Sequence, residues 1–177
     1  MKLLVRNNIG QTKILTLNDQ QLNGICIMLY LIEEATILLS PPVELFQINS
    51  NDYVFIATIK FDYYKYINSR TNPTFIELFK GIPFNPQIHS WDQFLTKNHL
   101  QSKIINQYVA LLYWADLSVL VQFNDLSFVD GVIEVCNWFN QQWSAHILFV
   151  AKRINNSYLP IDIVTEKLTQ QLQFLSL

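Results

Sequence analysis

Residues 117–153 read LSVLVQFNDLSFVDGVIEVCNWFNQQWSAHILFVAKR, and this stretch decides the fold class. Leu117 to Phe123 is short, apolar and rich in β-branched residues, as a buried strand is. From Ser127 to about Gln142, Phe128, Val132, Val135 and Phe139 recur every three or four residues, the period of a helix with one buried face. His146 to Arg153 is again a short apolar run. A strand, a helix and a second strand predict a right-handed parallel crossover. The near-continuous apolarity of 119–123 and 147–151 is that of strands covered by helices on both faces.

Working outward, Lys2 to Arg6 and Thr12 to Leu17 read as a hairpin around Asn7-Asn8-Ile9-Gly10-Gln11. Asn18 or Asp19 then caps a helix to about Ala35, in which Leu22, Ile25, Cys26, Leu29 and Ile32 keep helical spacing; Pro41-Pro42 ends that region. Val43 to Ile48 and Tyr53 to Phe61 form a second hairpin around Asn49-Ser50-Asn51-Asp52. Residues 62–91 read as loop with a short helix near Thr74 to Lys80, because Pro73, Pro83 and Pro86 break longer elements. A helix from Ser102 carries Ile104, Ile105, Tyr108, Val109 and Leu112 as its stripe, and a last helix follows Pro160. The expectation is a single mixed α/β (α+β) domain over residues 1–177. Its mixed sheet is antiparallel in the N-terminal half, with a C-terminal β-α-β unit and helices packed on the sheet.

Of the 177 residues, 15% are charged, against about 25% in an ordinary soluble domain. Aromatics reach 14%, and Asn plus Gln supply 30 positions. A weakly charged, aromatic-rich surface is the composition of a binding patch. The net charge of −2 is segregated: residues 14–59 and 104–151 contain no Lys or Arg, whereas residues 60–103 hold six basic residues against three acidic ones. The longest apolar run, Ile25 to Ile32, meets Glu33 and Glu34 after eight residues, too short to cross a bilayer. With no secretory signal pattern at the start, the expected location is the cytoplasm, with Cys26 and Cys136 reduced.

Phosphate loops need clustered glycines, and Gly10, Gly24, Gly81 and Gly131 are scattered, which argues against a nucleotide cofactor. Two cysteines and three histidines match no metal-ligand spacing, so neither cofactor nor metal is expected. The segment Lys60-Phe61-Asp62-Tyr63-Tyr64-Lys65-Tyr66 interleaves aromatics with cations as single-strand binders do, but the acidic chain lacks a broad basic footprint and nucleic acid is not the expected partner. The candidate nucleophile is Cys136, with His146 as base and Asp130 or Glu134 orienting it; this would make a cysteine-dependent hydrolase without a standard motif. Cys136 lies well inside its helix, away from the N-terminus that would stabilise a thiolate.

The leading expectation is a non-catalytic protein-binding domain of the inhibitor, immunity-protein or adaptor kind. On the helix from Ser127, Asp130, Glu134, Asn137 and Gln141 fall opposite the buried stripe, a face expected to have no Lys or Arg to neutralise it internally. Trp138 and Trp143 are placed to flank this face. An acidic patch rimmed by aromatics suits a protein partner with a basic surface.

Overall fold

The computed structural model describes residues 1–36, 43–51, 54–68, 73–86 and 89–175. The chain runs β1 (Lys2–Asn7), β2 (Thr12–Thr16), α1 (Asp19–Ala35), β3 (Val43–Asn51), β4 (Val54–Lys60), α2 (Tyr63–Ile67), β5 (Phe75–Lys80), α3 (Trp91–Lys97), β6 (Tyr108–Trp114), β7 (Leu117–Phe123), α4 (Ser127–Trp138), β8 (Ile147–Ile154), β9 (Ser157–Ile161) and α5 (Ile163–Leu175). An N-terminal sheet has the order β2-β1-β3-β4, and a C-terminal sheet the order β5-β7-β6-β8-β9. The α+β class and both N-terminal hairpins are as expected.

The pairing differs from a single mixed sheet, since every pair in both sheets is antiparallel. β7 and β8 do run parallel, with α4 crossing between them, but β6 lies between the two strands and pairs antiparallel with each. The β-α-β unit is therefore split. β6 is where a helix was expected from Ser102: the run Tyr108 to Leu112 is wholly buried, and an apolar run covered on both faces does not reveal whether its period is 2 or 3.6. The backbone before it is claimed by side chains of β7 and its end, with Gln122 Oε1 accepting from Ile105 N (2.9 Å) and Asn124 Oδ1 from Gln107 N (2.8 Å). Likewise the helix expected near Thr74 to Lys80 is the edge strand β5. The proline pair 41–42, the last residue of the second expected turn (52) and the first of the strand expected after it (53) lie outside the described residues.

Asn18 caps α1 reciprocally: its Oδ1 accepts from Gln21 N (2.8 Å) and Gln21 Oε1 accepts from Asn18 N (2.9 Å). Beyond the expected stripe, Ile27, Met28 and Leu31 are also fully buried, as in a helix enclosed on all sides. α1 crosses α4 at two glycines. A Cβ on Gly24 would lie 2.1 Å from the Phe128 carbonyl oxygen, and one on Gly131 would lie 2.1 Å from that of Gln21. The main core joins Leu3, Val5, Val43 and Leu45 of the N-terminal sheet, both helices, and Tyr108, Leu112, Val119 and Val121 of the C-terminal sheet. The opposite face of the C-terminal sheet presents Val109, Leu111, Leu120 and Ala151 to a second cluster with Trp91, Phe94 and Leu95 of α3.

Candidate functional site

α4 turns Phe128, Val132 and Val135 into the core at 0% exposure and leaves Asp130, Asn137 and Gln141 exposed. It ends four residues before the expected Gln142. Asn140 adopts a left-handed backbone (φ 53), Asn140 N donates to Asn137 O (3.1 Å) and Gln141 N donates to Cys136 O (3.0 Å). This is a Schellman stop, which Asn can supply.

The expected acidic face is neutralised from within, correcting the reading of an unopposed patch. Lys13 Nζ of β2 donates to Glu134 Oε1 at 2.8 Å, and Trp138 Nε1 donates to the same oxygen at 3.0 Å. Asp130 pairs with Lys167 of α5. Partial burial alone would raise the Glu134 pKa; the hydrogen bonds from Lys13 and Trp138, together with the lysine charge, outweigh it and hold the carboxyl below its ordinary value. Sequence proximity could not reveal either cation, since Lys13 is 121 positions and Lys167 37 positions from its partner.

Trp138 and Trp143 do not flank one surface. Trp138 joins Phe139, Val5, Val43, Asn7, Asn8, Gln11, Thr12 and Lys13 around an open cleft of about 810 Å³, between the inner face of the N-terminal sheet and the end of α4. Trp143 begins a single 3₁₀ turn and lines a separate notch with Ile147, Ile163 and Val164. Val5 (6% exposed) and Val43 (7%) form the floor of the cleft and the hairpin amides its rim. Those amides are set by local bonds: Asn7 Oδ1 accepts from Ile9 N (3.2 Å) and Gln11 N (2.8 Å), while Asn7 Nδ2 donates to Gln11 Oε1 (2.9 Å). The cleft escaped the sequence reading because it joins the first hairpin to a helix more than a hundred residues away; its only local trace was the amide-rich turn.

Cys136 sits in the main core and His146 against the end of β6. Cys136 is fully buried, and loss of solvent pushes its thiol up to about 11. His146 Nδ1 lies 3.0 Å from the Tyr113 carbonyl oxygen, and its ring stacks on Trp114 at 4.4 Å between centroids. Asp130 and Glu134, offered as the orienting acid, are held by Lys167 and Lys13. Among the described residues, no group of three or more His, Cys, Asp or Glu is placed to hold a metal, and no helix is long and apolar enough to cross a membrane. The aromatics of 61–66 are committed to packing. Tyr64 meets Tyr30 at 5.4 Å and Tyr63 at 5.1 Å, and Phe61 meets Tyr66 at 5.6 Å. Burial, then a hydrogen bond to Glu33, raises the Tyr64 pKa well above the ordinary phenol value.

A further surface feature has no counterpart in the sequence reading. α5 is held inward by polar bonds: Glu166 Oε1 accepts from Lys152 Nζ (2.7 Å) and Tyr108 OH (2.9 Å), and Gln170 Nε2 donates to Tyr108 OH (2.8 Å). Its outer face shows Val164, Leu168 and Leu172, four residues apart and each more than half exposed.

This architecture defines an α+β chain with an aromatic-walled, amide-rimmed cleft. Comparison with protein families, curated proteins and solved structures finds no match to it.

Proposed function

We propose that the chain is a non-catalytic protein-binding domain, of the inhibitor, immunity-protein or adaptor kind, and that its cleft seats a segment of the partner. The observation that supports this reading is the cleft's construction: an apolar floor of Val5 and Val43, aromatic walls of Trp138 and Phe139, and a rim of Asn8, Gln11 and Thr12. Such a combination suits an apolar anchor side chain flanked by main-chain amides, with the aromatic walls supplying most of the residence time. Because Glu134 and Asp130 are each paired with a lysine, long-range attraction of a basic partner contributes less than an unopposed acidic face would. The part of the expected α4 surface that this reading retains is Trp138, with Glu134 and Lys13 as the pair that positions it.

The test places a photo-crosslinking residue at Asn8 in the cell of origin and compares it with one at Leu172 on α5. A single crosslinked protein at Asn8, lost on Trp138→Ala while the variant stays folded, supports the reading. No crosslink at Asn8, or one insensitive to Trp138→Ala, overturns the assignment to the cleft.

A further inference from the structure

β2 is an outer strand with nothing bonded to its far edge among the described residues. Which of its groups face that edge follows from the ends of the β1–β2 ladder, where Asn7 N donates to Gln11 O (3.0 Å) and Leu17 N to Met1 O (2.9 Å). Hydrogen-bonded and non-bonded pairs alternate along an antiparallel ladder. In the observed register, Lys13↔Val5 and Leu15↔Leu3 are therefore the bonded pairs, and Thr12, Ile14 and Thr16 direct N–H and C=O outward.

We propose that β2 pairs antiparallel with β2 of a second copy of this chain, about a two-fold axis at Ile14, merging two four-stranded sheets into one of eight. Three consequences of the observed register favour this occupant and this centring. Centring on Ile14 places Thr12 opposite Thr16 and Ile14 opposite itself, so the residues with outward groups on one copy meet those on the other and six backbone hydrogen bonds close. Lys13 then faces Leu15, whereas a shift that centred the axis on Lys13 would set two ammonium groups directly opposite, which is destabilising. Ile14, 52% exposed, gains its own copy as a cross-strand neighbour, beside Leu4 on the same outer face.

Two of the devices that normally blunt a sheet edge, proline and a bulge, are missing from β2, which leaves its short length and Lys13 as its only guards. Lys13, the one charged residue on β2, bends inward to Glu134. By contrast, β9 carries Pro160, which has no N–H to offer, and β5 is interrupted by a bulge between Phe75 and Glu77. The cleft lies on the inner side of the sheet and Ile14 on the outer, so the second copy leaves the cleft's floor open. A five-residue strand pair is at the small end of interface sizes, which makes this a concentration-dependent dimer rather than a permanent one.

Sedimentation equilibrium of the whole chain from about 1 to 500 µM tests it, the span in which weak association shows. The expected result is a rise in mass towards twice that of one chain, abolished by Ile14→Lys. Cysteine cross-linking tests the register separately. Bonded antiparallel residues sit about 5.5 Å apart at Cα, within disulfide reach, so Ile14→Cys should oxidise to a linked dimer at least tenfold faster than Ile9→Cys, an even more exposed site in the same hairpin. The native cysteines are buried and do not compete. A single-chain mass across the whole range, a dimer that survives Ile14→Lys, or equal cross-linking at Ile9 and Ile14 each overturns the proposal.

Discussion

Lys13 of β2 and Glu134 of α4 meet at 2.8 Å across the mouth of the cleft, with the Trp138 indole on the same carboxylate oxygen. The pair is part-exposed, at 60% for the lysine side chain and 26% for the glutamate, so its contribution to stability is below about 1 kcal/mol. Lys13→Met should therefore lower stability only slightly in urea unfolding at neutral pH. Because the folded Glu134 pKa lies below its unfolded value, the contribution is present above the ordinary glutamate pKa and disappears as pH falls through the folded one. The difference between wild type and Lys13→Met should shrink over that acid range and be fully present at neutral pH.

Gly24→Ala and Gly131→Ala should each cost about 2 kcal/mol or more, because the added methyl meets a backbone oxygen rather than a movable side chain. The two changes together should be far from additive, since one widening of the helix crossing relieves both. Thermal unfolding of the two single variants and the double variant measures this.

Gln122, 1% exposed, holds four backbone groups. Its Oε1 accepts from Ile105 N (2.9 Å) and Asn106 N (3.1 Å), and its Nε2 donates to Pro73 O and Lys103 O, both at 2.9 Å. Gln122→Leu should cost roughly 3 kcal/mol, because each buried group left unsatisfied costs about 1–3 kcal/mol. Hydrogen exchange at Ile105 and Asn106 should speed up more than at α1, which shares no bond with this staple.

Cys136 should resist thiol reagents in the native state and react only on unfolding, given full burial and a thiol raised to about 11. Cys136→Ala should cost about 1–2 kcal/mol through lost packing and leave partner capture unchanged. Rapid native-state labelling at pH 8 would contradict this.

Leu168→Gln on α5 should leave stability within about 0.5 kcal/mol of wild type, since the side chain is 54% exposed. Tyr108→Phe, which removes the hydroxyl shared by Glu166 and Gln170, should cost about 1 kcal/mol and loosen the whole helix. The contrast, read by urea unfolding, would show that α5 is fastened by its polar inner face.

Elements with a clear local signature were legible in the sequence: α4 by its one-sided 3.6-residue stripe, α1 by its Asn18 cap and helical spacing although it is buried nearly all round, and the hairpins by β-branched runs around Asn-rich turns. What failed was the fully buried run. Tyr108 to Leu112 has no polar side by which to reveal its period, and the spacing of Ile104, Ile105 and Tyr108 imitated a helix. β9 was missed although its signal was present, for Asn155 and Asn156 both adopt left-handed backbone (φ 51 and 67), as a two-residue hairpin turn requires. At the candidate site, the direction of the α4 faces could be read but their electrostatics could not, because Lys13 and Lys167 arrive from remote elements.

The placement of β6 between β7 and β8 has a kinetic consequence. The β6–β7 and β8–β9 contacts are each closed by a turn of two residues and can form locally, so they make fast, independent ribbons. The β6–β8 seam joins them only after the segment carrying α4 has folded over, a much longer loop closure that, with the equally non-local β5–β7 pairing, raises the relative contact order of this half of the chain. The same seam divides the sheet into two sequence-contiguous modules, so cutting the chain in the segment between α4 and β8 would yield fragments whose reassembly reports on the closure of that seam together with the bonds from α5 to Tyr108 and Asp130.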